Sequence, residues 1–123
     1  MKDELADKLV KKYPTLFKNY KGDMRQTCMA WGICTGDGWY DLLDELCSKL
    51  EPYGVVAAQI KEKFGGLRFY LEATPSEKWE EIHNYINEAE AKSYKICEQC
   101  GKPGKIRGGF WVRTLCDECD KKE

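Results

Sequence analysis

Seven cysteines stand among the 123 residues of this chain, and four of them are spaced for metal chemistry. Cys97-Glu98-Gln99-Cys100 and Cys116-Asp117-Glu118-Cys119 are two Cys-x2-Cys pairs with 15 residues between them, a spacing that suits a four-thiolate zinc site. The two-residue spacer lets both sulfurs of a pair reach one ion at about 2.3 Å. Gly101 permits the turn directly after the second ligand. Four thiolates leave no coordination position open to water or substrate, so the pattern predicts a structural ion. Iron in a rubredoxin-like site and a redox pair of cysteines are the other chemistries these residues allow. So short a module holds little apolar surface, and the metal is expected to supply its folding free energy. Zinc peptides show apparent values of about 10–16 kcal/mol.

The remaining reactive residues carry weaker patterns. Cys28, Cys34 and Cys47 with His83, the single histidine, make a set of three thiols and one imidazole on paper, but intervals of five and twelve residues are not knuckle spacings. They are expected to pack as small core thiols, with His83 at the border of a helix stripe. Gly36-Asp37-Gly38 lies between Trp31 and Trp39. It reads either as an aromatic-walled recognition loop or as the cap of the helix that follows. Lys102, Lys105, Arg107, Arg113, Lys121 and Lys122 surround Phe110 and Trp111, a mixture that holds nucleic acid by phosphate contacts and base stacking when it is exposed. Trp31, Asp37, Lys105, Arg107, Trp111 and Arg113 are therefore the candidates for contact with a partner.

No nucleophile–base pair or phosphate loop is evident, and Gly65-Gly66 lacks the Gly-Lys-Ser/Thr of a P-loop. The expectation is a protein that is not an enzyme. A carboxylate site between the Gly36–Gly38 loop and a neighbouring hairpin rests on Asp37 alone.

The elements that must position these residues follow from composition and periodicity. At 42% hydrophobic and 33% charged, the chain has apolar material for one modest core. Its net charge is −1, which excludes a strong overall field toward nucleic acid or anionic membrane. Residues 1–91 carry 12 Lys and Arg against 16 Asp and Glu, and residues 92–123 carry 8 against 5, so the basic excess sits beside the cysteine pairs. No apolar run reaches the roughly 20 residues of a membrane span, and the start, Met1-Lys2-Asp3-Glu4-Leu5, lacks the apolar stretch of a secretion signal. A reducing cytoplasm is the expected location.

Leu5, Leu9, Val10 and Tyr13 mark a helix over residues 3–13, closed by Pro14. Trp39, Leu42, Leu43, Leu46, Cys47 and Leu50 fall at i, i+3, i+4, i+7, i+8 and i+11 of a second, residues 38–51. Asp37 is its expected cap, and Pro52 and Gly54 end it. Residues 55–73 read as a β-hairpin turning at Gly65-Gly66. Val56, Ala58 and Ile60 would share its inner face with Leu67, Phe69 and Leu71, leaving Lys61, Lys63, Arg68 and Glu72 outside. Thr74-Pro75-Ser76-Glu77 has the form of a capping box. It would open a third helix at residues 75–94, burying Trp79, Ile82, Ile86 and Ala89. A short hairpin from Lys105 to Arg113 would join the two cysteine pairs.

Residues 97–119 resemble the zinc-ribbon and treble-clef class of zinc fingers. In a treble clef the second ligand pair opens a helix, and only four residues follow Cys119. Trp31-Gly32-Ile33, Gly36-Asp37-Gly38-Trp39, the stretch from Lys61 to Tyr70 and the terminal Gly-Gly-Phe-Trp-Val-Arg-Thr-Leu-Cys are similar to a group of small uncharacterised proteins common in phage and prophage genomes. That resemblance implies an accessory protein of a mobile element, resident in the host cytoplasm, and brings no catalytic residues with it.

The expected architecture is α+β. Three helices pack on a hairpin over residues 1–95, and a four-cysteine zinc module at residues 96–123 packs on them. The expected function is a zinc-stabilised, non-catalytic binding protein that engages a host protein of replication, transcription or defence. The alternative is a nucleic-acid-binding zinc-ribbon module.

Overall fold

Ala6 and Leu9 bury one side of the first helix, α1 (Asp3–Lys12), against the second. The computed structural model describes residues 1–122. After an irregular stretch whose Leu16 and Phe17 enter the core, a short helical turn (Cys28–Trp31) leads into strand β1 (Ile33–Cys34). Helix α2 (Tyr40–Leu50) follows, then strands β2 (Ala57–Lys63) and β3 (Gly66–Leu71), and then helix α3 (Trp79–Ser93). The chain is thus α+β, with a sheet in the order β1-β2-β3. β1 runs parallel to β2, pairing Ile33 with Ile60, and β2 and β3 are antiparallel.

The core sits between the sheet and α1, α2 and α3. Trp39, in the turn that leads into α2, and Leu43, Leu46, Cys47 and Leu50 along that helix are buried at the positions the spacing predicts, in one core with Ile60, Phe69 and Ile82. Each fully buried Leu or Ile stabilises such a core by about 1.5–3 kcal/mol. Among the described residues no helix is long and apolar enough to cross a membrane.

Several expectations are corrected. Two residues are too few to show a periodicity, and β1 is the strand that sequence reasoning missed. Asp37 does not cap α2. A tight helical turn at Asp37–Trp39 precedes that helix, and the Asp37 carboxylate instead accepts the Lys2 backbone N–H at 2.8 Å. The hairpin turns at Phe64 and Gly65, with φ of 54° and 84°, rather than at Gly65-Gly66. Positive φ at both central residues is the signature of a type I′ turn. Gly66 already pairs with Lys63, and a β-carbon there would lie 2.4 Å from the Tyr94 hydroxyl.

A bulge between Ala57 and Gln59 resets the alternation of β2. Val55, Ala57 and Ile60 therefore point inward, and Val56 and Ala58 are only half-buried. The box at Thr74–Glu77 makes no side-chain cap: a helical turn at Ser76–Lys78 precedes α3, and its first residue, Trp79, is 55% exposed. Ile82, Ile86 and Ala89 do form the buried stripe.

The C-terminal region adds a second sheet, in which β4 (Lys105–Arg107) pairs antiparallel with β5 (Arg113–Leu115), and a fourth helix, α4 (Asp117–Lys122). The three helices expected over residues 1–95 are α1, α2 and α3, and α4 belongs to the cysteine module.

Candidate metal centre

The two knuckles converge. The Sγ atoms of Cys97, Cys100, Cys116 and Cys119 all lie within 4.8 Å of one another, with Cys100 and Cys116 3.6 Å apart. A tetrahedron of 2.3 Å metal–sulfur bonds has edges of about 3.8 Å, whereas a disulfide holds its sulfurs about 2.05 Å apart. The four cysteines are arranged to hold a metal ion.

Local backbone chemistry builds each knuckle. Gly101, at φ +82°, donates its N–H to the Cys97 carbonyl at 2.9 Å and closes the first turn, and Cys97 donates to the Lys102 carbonyl at 2.8 Å. In the second, Cys116 directly precedes α4 and Cys119 sits on it, its N–H directed at the Cys116 sulfur at 3.4 Å. Arg107 of β4 binds the two parts together. Its Nε donates to the Leu115 carbonyl at 3.0 Å, and its other nitrogens reach Asp117 at 2.6 Å and Asp120 at 3.1 Å on α4.

The thiols are unequal. Burial pushes the Cys97 thiol up, but N–H groups of Cys116, Cys100 and Gln99 directed at its sulfur outweigh that and hold it at about 6. Cys119 is pushed up to about 12 by burial and by the neighbouring thiols. Four sulfurs this close cannot all carry charge unless a cation lies among them, so the cluster suits a divalent ion.

A larger framework positions the first knuckle. Gly36 donates its N–H to the Glu98 carboxylate at 2.8 Å, and Gly38 donates to the Glu98 carbonyl at 2.7 Å. The indole N–H of Trp39, fully buried, donates to the Ile96 carbonyl at 2.9 Å. A β-carbon on Gly38 would lie 2.2 Å from the Cys97 carbonyl oxygen and 2.7 Å from the Cys100 nitrogen, so only glycine lets the backbones meet. The Gly36-Asp37-Gly38-Trp39 motif is the receptacle of the cysteine knuckle and not an open recognition loop. Glu98, hidden between two ligands in sequence, escaped sequence reasoning; the paired glycines were the available signal.

The second knuckle's sheet is tied to the hairpin: the Thr114 hydroxyl donates to the Gly65 carbonyl at 2.6 Å. A β-carbon built on Gly65 would lie 3.5 Å from both the Arg113 carbonyl carbon and a Val112 methyl, so β5 runs against the turn. Lys63 Nζ lies 5.6 Å from the centre of the Phe64 ring, and the Arg113 guanidinium lies 5.9 Å from the Trp111 ring.

Of the other candidates, Trp31 and Trp111 are 67% and 74% exposed, and Lys105 is exposed. Asp37 is engaged by Lys2, Arg107 by α4, and Arg113 by the buried Glu98 carboxylate at 3.5 Å. Among the described residues no second cluster of three metal-ligating groups forms. Cys47 is buried, Cys28 and Cys34 are exposed rather than packed in the core, and His83 stacks on Trp79 with ring centres 4.3 Å apart.

No protein-family model, no curated protein and no solved structure matches this chain.

Proposed function

We propose that the ion is zinc, that its role is structural, and that the chain is a non-catalytic binding protein whose metal module presents a surface to a partner protein. The observation that carries this reading is the closed set of four converging sulfurs, locked by backbone contacts to the main core. Four thiolates favour zinc among the common divalent ions and leave it no open position for a reacting molecule. A helix opening at the second knuckle supports a treble clef over a ribbon.

Exposed Trp111, Phe110 and Ile106 support a protein partner, because aromatic groups beside arginine carry much of the energy of protein interfaces. Arg107, Arg113 and Lys102 are already paired with carboxylates of this chain, which weakens the field available to phosphates. The phage-like motifs support a host protein of replication, transcription or defence as that partner. They also support the host cytoplasm, whose reducing conditions suit knuckle thiols.

One observation favours the second reading, nucleic acid. The contact between Thr114 and Gly65 seats β5 on the turn of the first hairpin, and each of the two hairpins carries an exposed aromatic ring with a cation beside it, Phe64 with Lys63 and Trp111 with Arg113.

Metal analysis and a pull-down test both readings. A colourless protein with one zinc per chain is expected, with a host protein retained by the native chain and lost in Trp111→Ala. Iron colour overturns the zinc assignment. DNA or RNA binding that weakens steeply above about 50 mM salt, with no host protein captured, favours the nucleic-acid reading.

A further inference from the structure

β3 is an edge strand of the three-stranded sheet. Its backbone alternates in a way two hydrogen bonds define. Leu67 donates its N–H outward, to the Ser93 hydroxyl of α3 at 2.9 Å, and Glu72 donates inward, to the Val56 carbonyl at 2.8 Å. On an antiparallel ladder the N–H and C=O groups of Phe69 and Leu71 therefore face away from β2. They open onto a groove of about 480 Å³ between the strand and α3.

The far wall is Trp79 stacked on His83, followed by Ile86 and Asn87. One end is neutral, where Arg68 and Glu90 pair at 2.7 Å. At the other end stands exposed Glu72, whose carboxylate accepts from the Asn19 amide at 3.3 Å. An edge strand beside a helix, with apolar and aromatic groups between, is the arrangement that takes an extended polypeptide as an added strand.

The geometry points to this groove as a second docking site, independent of the metal module. Its occupant is an extended segment of a partner protein that pairs with Phe69 and Leu71 through its backbone. Alternate apolar side chains lie against Trp79 and Ile86, and a Lys or Arg meets Glu72. That cation supplies the complementary charge at the acidic end.

The test selects a displayed library of random nonapeptides on the metal-loaded full chain and locates bound peptides by amide hydrogen exchange. Enriched peptides are expected to alternate apolar residues, to carry a Lys or Arg, and to slow exchange at Phe69 and Leu71 at least tenfold. Trp79→Ala, at an exposed position, should weaken them about tenfold, Glu72→Gln should remove the preference for a basic residue, and Trp31→Ala should change neither. Peptides that protect other amides, or a library with no enrichment, overturn the proposal. So does protection of Phe69 and Leu71 that grows with protein concentration alone, which would assign the edge to a second copy of the chain.

Discussion

Gly38 and the Cys97 carbonyl touch so closely that a β-carbon on the glycine would lie 2.2 Å from the oxygen. The first metal knuckle is thereby seated on the loop that enters α2, so the ion site and the main core share one backbone contact. Gly38→Ala forces these backbones apart and is expected to destabilise the fold by about 1–3 kcal/mol, the usual range for overpacking. A zinc competition titration should show weaker metal binding in the same variant. Gly109→Ala, where a β-carbon would meet nothing within 4 Å, should stay within about 0.5 kcal/mol of the native chain.

Chelation reports on the same coupling through Trp39. Its buried indole donates to Ile96, one residue before the first ligand. Stripping the metal with a strong chelator is expected to loosen residues 96–122 first and to shift the emission of a buried tryptophan toward the red. Trp31, Trp79 and Trp111 are already exposed and should contribute little to the shift. Cys100→Ser should produce the shifted spectrum without chelator. An unchanged spectrum on full metal removal would show that the knuckle stands without its ion.

A pH dependence arises far from the metal. The Tyr13 hydroxyl donates to the Asp44 carboxylate at 2.5 Å. That bond is the first cause holding Asp44 below the ordinary carboxylate range, and burial is the first cause raising Tyr13. Because the folded value of Asp44 is depressed, its stabilisation is fully present above the unfolded value near 4 and is lost as pH falls through the lower folded value. Because Tyr13 is raised, its share persists below about 10 and is lost as pH climbs beyond that. Tyr13→Phe should cost about 1.5 kcal/mol near neutrality. Denaturant midpoints of the two proteins should converge as pH is lowered toward about 3.

Ser93 is fully buried and links α3 to the sheet edge, accepting from Leu67 and donating to the Glu90 carbonyl at 2.5 Å. Ser93→Ala leaves the Leu67 N–H without its acceptor and should destabilise the chain by about 1–3 kcal/mol. Hydrogen exchange at the Leu67 amide should quicken in that variant more than at Ile60 in the sheet centre.

The helical stripe of α2, the presence of a hairpin after it and the convergence of four cysteines were all legible in the chain. Each depends on neighbours a few residues apart, or on an ion that gathers ligands whatever the path between them. Asp37 and Trp79 were misread for a common reason: a capping residue and an apolar stripe are local signals, and the competing partners, Lys2 and His83, were chosen by how the chain begins and by what α3 leaves exposed.

Sequence by itself determined that Cys97, Cys100, Cys116 and Cys119 form one set, because two-residue spacers bring sulfurs together through local turns. Only the tertiary structure decided what that set is fastened to. Gly36, Gly38, Trp39 and Glu98 meet across some sixty residues. Close backbone approach of this kind arises from the packing of whole elements, and the paired glycines hint that something approaches without encoding what it is.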